Sequence, residues 1–173
     1  MPSDEKEITP TLGEAIGRLA SAMLRLAPGE LARLRRMQAD GPGELIFWKL
    51  AISCGLRTDD KGMELVRIMA ILAPKGEPGS RTQFHNFEQS FGTKLAETQY
   101  SEKRLSRFLE LQFEERAEAL ERMARWLRAR GGTPVNCRDI ACLLFSGDVK
   151  YARTLAESYY REFDKDPKKD AAA

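Results

Sequence analysis

Three cations fall within five consecutive positions in "KRLSR", residues 103–107: Lys103, Arg104 and Arg107. At about 100° per residue on a helix, Leu105, Phe108 and Leu109 share one arc. Lys103 and Arg107 lie nearly opposite that arc and Arg104 on its flank, so all three cations point away from a core. "ELARLRRM", residues 30–37, repeats the arrangement. There Leu31, Leu34 and Met37 form the apolar stripe, and Arg33, Arg35 and Arg36 stand off it with only Glu30 nearby. The guanidinium fork matches phosphate oxygens, so such faces suit the tracking of a phosphate backbone, and contacts of that kind carry no sequence information. The plain alternative is a solubilising face. A third group, Arg122, Arg125, Arg128 and Arg130, has Glu118 and Glu121 within one turn of its first two members.

Other chemistry finds little support. His85 is the single histidine, and it has no Cys or His at ligand spacing, so a metal site is not expected. Cys54, Cys137 and Cys142 are odd in number and lack a C-x-x-C spacing. They read as reduced, buried thiols of a cytoplasmic protein rather than a disulfide framework. No P-loop, G-x-G-x-x-G or G-x-S-x-G is present, so the expectation is a protein that is not an enzyme and takes no cofactor. The net charge of +2 favours no partner by itself; only local concentration of charge can. The polar, acidic start "MPSDEKEITP" is no signal peptide, and the apolar stretches "ELIFWKLAISCGL" and "LVRIMAILAP" are too short, and too charged, for a membrane span.

The elements that must position these side chains are helical. Sustained alternation is absent, and apolar residues recur at helical spacing along the chain. A helix is expected over 11–27, with Ile16, Leu19, Ala20 and Met23 inward, and a second over "ELARLRRM". "LIFWKLAISC" is apolar nearly all round and should be buried. Asp59 or Asp60 can cap "MELVRIMAILA", which Pro74 stops. Residues 74–83 hold two prolines and two glycines and read as a long, flexible loop. "FHNFEQSFGTKLAE" reads as a helix interrupted near Gly92. Ser101 can cap a helix to about Gln112, and another covers 114–130, ended by Gly131-Gly132. Asn136 and Asp148 can cap the last two, the first of them ended by Gly147. Trp48, Trp126, Phe47, Phe84, Phe87 and Phe91 fall in patterns that suggest core positions. The chain is therefore expected to be all-α, with eight or nine helices in two packed lobes, 11–98 and 99–164, between tails at 1–10 and 165–173.

Four stretches, in order, resemble the CasB-type small subunit of the Cascade surveillance complex of type I-E CRISPR systems. They are "LARLRR" at 31–36, "FWKL" at 47–50, "SFGTKLA" at 90–96 and "YSEKRLSRFL" at 100–109. The Gly-Gly-x-Pro-Val turn followed by two short helices is similar too. The resemblance implies an all-α, non-enzymatic subunit, two copies of which lie beside the guide-RNA backbone among other Cascade subunits. It implies contacts to guide RNA and to target DNA, including the displaced strand of the R-loop. Carried over by position, the basic residues are Arg35 and Arg36, Lys49, Lys94, and the set Lys103, Arg104 and Arg107; Arg33 joins them from the arginine cluster. Thr93-Lys94 stands where the family often shows Gly-Arg, and Glu110, Glu114 and Glu115 make the surface less basic than the family pattern. Two other readings stay open: a helix–turn–helix regulator built on "VNCRDIACLLFSGDVKYARTLAESYY", and a helical protein–protein adaptor.

Overall fold

Short polar side chains start most of the helices. In the computed structural model, which describes residues 10–165, Thr11 and Glu14 form a reciprocal capping box ahead of α1, Leu12–Met23. Asp59 accepts from the Gly62 N–H at the head of α4, Asp60–Leu72, and Ser90 from Thr93 at the head of α5, Phe91–Glu97. Ser101 does the same for α6, Glu102–Glu110, Asn136 for α8, Cys137–Phe145, and Asp148 for α9, Val149–Phe163. Pro28 opens α2, Pro28–Arg36, where its missing N–H costs nothing. Between these lie α3, Leu45–Cys54, closed by Gly55 at φ 73°, and α7, Arg116–Ala129, preceded by a 3-10 turn, Phe113–Glu115. Among the described residues there are nine α-helices and no strand, only an isolated bridge between His85 and Val135. The protein is all-α, as the spacing predicts. The tail sequences 1–10 and 165–173 lie outside the described residues except for Pro10 and Lys165.

α4 is the central post. Met63, Leu65, Val66 and the run Ile68–Leu72 are all buried, and the helix packs against α2, α3, α7 and α8. One continuous apolar core runs from Ile16 to Tyr159. Glu121 of α7 ties the post down further, accepting Arg67 of α4 at 3.1 Å and Arg125 of its own helix at 2.8 Å. The boundary between 98 and 99 falls in the turn between α5 and α6, and α5 packs across it on α9. Arg81 anchors the end of the 74–83 loop: its Nη1 donates to the carbonyls of Met23 (3.3 Å), Leu24 (3.2 Å) and Leu26 (2.5 Å), at and just past the end of α1.

The structure departs from the sequence expectations in definite places. The first helix stops at Met23 rather than 27, because Leu24–Leu26 turn to meet Arg81. α3 is not buried all round: Leu45 is 81% and Ile52 70% exposed, and Trp48 is more than a third exposed. Only Phe47, Leu50, Ala51 and Cys54 of this helix are buried. Residues 84–89 are not helical, because Phe84 and Asn86 hydrogen-bond to Val135, a partner 49 or more positions away that no local pattern reveals. Phe87, expected in the core, is half exposed, with its ring over Gly13 and Gly17 of α1. The helix capped by Asn136 ends at Phe145, short of Gly147.

Gly92 sets how closely α5 and α9 approach. A Cβ there would lie 2.0 Å from Ser158 Oγ, 2.4 Å from the Leu155 carbonyl and 2.7 Å from the Tyr159 N. The hydroxyl can rotate away but the backbone of α9 cannot. Gly92→Ala is therefore expected to destabilise by about 2–3 kcal/mol despite its better helix propensity, roughly 5–10 °C in Tm. An unchanged melting temperature would show that α9 yields easily.

His85 accepts the Cys137 N–H at its Nδ1 (3.1 Å), which fixes the start of α8. Burial holds its pKa below the ordinary 6.5. The unfolded chain thus takes up a proton that the folded chain refuses, and this share of stability is lost as pH falls through 6.5. Burial raises the carboxyls of Glu64 and Asp139, which act in the opposite sense at lower pH and are common to wild type and variant. Between about pH 7.5 and pH 5.5, thermal melts should therefore show a larger loss of Tm in the wild type than in His85→Gln. Parallel pH profiles would remove His85 from the account.

Candidate functional site

α6 and α7 face each other across an open cleft of about 560 Å³. On α6, Leu105 and Phe108 fix the helix to the core, while Lys103, Arg104 and Arg107 are exposed. Leu109, expected to anchor this helix, is instead exposed. The cleft side of α6 is Arg104, Arg107 and Phe108, at i, i+3 and i+4, with Leu111 just past the helix end. The facing stripe of α7 is Ala119, Arg122 and Trp126, and Arg130 follows one turn later.

Trp126 is the fixed point of this cleft. Its Nε1–H donates to Thr98 Oγ1 at 3.2 Å, and Tyr100 meets it edge to face with 5.8 Å between ring centroids. Arg104 lies over the indole at 5.0 Å and Arg130 at 4.3 Å, both in cation–π range. Tyr100 is itself held, because its carbonyl accepts the buried Tyr159 hydroxyl. Burial pushes the Tyr100 phenol up, and Arg104 and Arg122 pull it back down, as cations beside a phenol should. The cleft thus has an aromatic wall under a positive rim. Part of that rim is compensated: Arg122 pairs with Glu118 at 2.6 Å. No ion pair among the described residues involves Lys103, Arg104, Arg107 or Arg130.

The remaining sequence candidates are scattered over other faces. Arg33 and Arg36 are exposed on α2. Arg35, between them, turns inward: its Nε donates to the Ala70 carbonyl at 2.8 Å and its Nη2 to the Ala73 carbonyl at 3.1 Å, satisfying the end of α4. Burial, then Arg128 and Arg81, lower its pKa from the ordinary arginine value. Lys49 is exposed on α3 beside the outward Trp48 and Ile52. Lys94 is half-buried and paired with Glu97 at 2.9 Å. Of the eight candidates, the cleft gathers Arg104 and Arg107.

Trp126, Arg122 and Arg130 are the contributors that the sequence reading left out of the site. Their signal was present as the i, i+4, i+8 stripe Arg122–Trp126–Arg130. Trp126 is partly buried and packs against the core, as expected, but it also has a cation one turn away on each side. Among the described residues no cluster of three or more His, Cys, Asp or Glu side chains could hold a metal, and Cys54, Cys137 and Cys142 are free and buried. Nor is any helix there long and apolar enough to cross a membrane.

Fold and site together define a small all-α protein that presents basic helix faces without acidic partners. The chain belongs to the CRISPR-associated protein Cse2 family, which it matches over residues 30–160. It is thus a CRISPR-associated subunit of Cascade, of the small-subunit type. The matched region takes in α3 to α8, most of α2 and α9, and all eight basic candidates. Neither a curated relative nor a solved structure matches the chain.

Proposed function

We propose that this subunit is non-enzymatic and steadies the guide RNA and the R-loop, including the displaced DNA strand, through sequence-independent contacts to the nucleic-acid backbone. The observation that carries this reading is the outward basic face of α6: Lys103, Arg104 and Arg107 are exposed and free of ion pairs, whereas the acid-rich stretch of α7 is internally paired. Exchange of a DNA duplex for an RNA–DNA heteroduplex is nearly balanced in free energy, so a few phosphate contacts tip it. Arg33, Arg36 and Lys49, exposed on α2 and α3, extend the same chemistry. Arg35 and Lys94 contribute less to this surface, since Arg35 donates to two carbonyls and Lys94 pairs with Glu97 within the protein. The setting is the cytoplasm, with a second copy and the other Cascade subunits as protein partners.

Titration of the purified chain with unrelated single-stranded and double-stranded oligonucleotides at two salt concentrations tests the reading. The expected result is weak, sequence-blind binding that falls steeply with salt. Strong preference for one duplex would instead support a helix–turn–helix regulator. Absence of binding at low salt, together with failure to copurify with guide RNA and partner subunits, would overturn the proposal. A protein-contact role has its own support in the outward apolar residues of α3, Leu45, Trp48 and Ile52, which lie at i, i+3 and i+7.

A further inference from the structure

We infer that the α6–α7 cleft is a stacking subsite for one unpaired base of a single strand, with Trp126 as the platform and Arg104, Arg107 and Arg122 holding the flanking phosphates. This rests on the nucleic-acid reading above and adds to it a preference for strands whose bases are free.

A surface that only tracks phosphates needs neither depth nor aromatic carbon. This cleft has both: its volume of about 560 Å³ lies in the range of small-ligand sites, and its wall carries Tyr100, Phe108 and Trp126. The indole is pre-set, pinned through Nε1 to Thr98 and braced by Tyr100, so stacking on it orders little that is not already ordered. Arg104 and Arg130 already lie over that ring, which shows that a flat, positively polarised group is accommodated there. A base can take the place of one guanidinium over the indole, and the released arginine is then close to the strand's own phosphates. Charge complementarity selects a polyanion, and the aromatic wall selects a π face. Bases in a duplex are stacked on both sides and cannot enter, whereas those of a single strand can.

The test uses the full chain and three probes of equal length: single-stranded DNA, the same strand with abasic residues in place of its nucleotides, and duplex DNA. Stacking on one aromatic corresponds to a preference of about 5- to 140-fold for the strand with bases over the abasic strand. Trp126→Leu should bring the two affinities together while keeping the abasic affinity, and Trp126→Phe should restore most of the preference. Melting curves confirm that each variant is folded. In a Trp48→Phe protein, where Trp126 is the remaining indole, the single strand should quench fluorescence and the abasic strand should not; this readout leaves the platform intact. Equal wild-type affinity for intact and abasic strands, or a preference that survives in Trp126→Leu, would overturn the stacking subsite while leaving the backbone-contact reading in place. Failure of all three probes to bind would overturn the subsite, and, joined by failure to copurify with guide RNA and partner subunits, the backbone-contact reading as well.

Discussion

Replacing Lys103, Arg104 and Arg107 together by glutamate is expected to weaken binding to single-stranded DNA by roughly 100-fold or more at low salt, and to reduce the magnitude of the salt slope by about two. The slope follows from counting. Each phosphate neutralised on a single strand releases about 0.7 of a counterion, so three lost contacts remove about two from the exponent. Affinity falls further because the three introduced carboxylates repel the strand. Folding should be little affected, since all three side chains are exposed and Leu105 and Phe108, which hold α6 to the core, are untouched. The measurement is fluorescence anisotropy across a salt series, with thermal melts as the control. Wild-type affinity and slope in the variant would show that α6 is a solvated face and nothing more. Reversing Arg33 and Arg36 instead should cost less, because these two residues lie outside the cleft.

Arg35→Ala should do the opposite: cost stability and spare the strand affinity of the folded protein. The guanidinium makes two charge-assisted hydrogen bonds to the last carbonyls of α4, Ala70 and Ala73, both in buried residues. Its removal leaves those acceptors unpaired at the negative end of the helix dipole, a loss of about 2–4 kcal/mol. Lysine should not rescue it fully, because an ammonium is a point charge and cannot reproduce the planar fork. Arg33→Ala and Arg36→Ala, by contrast, should stay within about 0.5 kcal/mol of wild type, as exposed substitutions do. Denaturant melts of the three variants decide the matter. A full loss of binding with unchanged stability in Arg35→Ala would place this side chain on the nucleic acid instead.

Three arginines within four positions thus divide between two tasks, and the division was not legible in the sequence. Helical phase separates Arg33, Arg35 and Arg36 from the stripe of Leu31, Leu34 and Met37. It cannot show that α4 ends where Arg35 points. The caps were legible because they are local: Asp59, Ser101, Asn136 and Asp148 each bond an N–H two or three positions away. So were the inward faces of α1 and α6, apart from Leu109. Hidden from the sequence was whatever depended on distant partners. The strand-like pairing of 84–86 with Val135 replaced an expected helix, and the apolar α3 kept one side in solvent because its neighbours cover only the other. The site was half legible for the same reason. The basic face of α6 follows from its own periodicity, but the cleft exists only where α7 brings up Trp126.

The anchoring of Arg81 has a practical consequence. Because its guanidinium holds the loop down at residue 81, the exposed stretch 75–80 is isolated from the core between that clamp and the end of α4. Lengthening a loop costs little closure entropy, about 0.6 kcal/mol for each doubling. Residues 75–80 are therefore a natural handle outside the α6–α7 cleft, where a fluorophore or an affinity peptide can be carried and from which the subunit can be followed as it joins its complex.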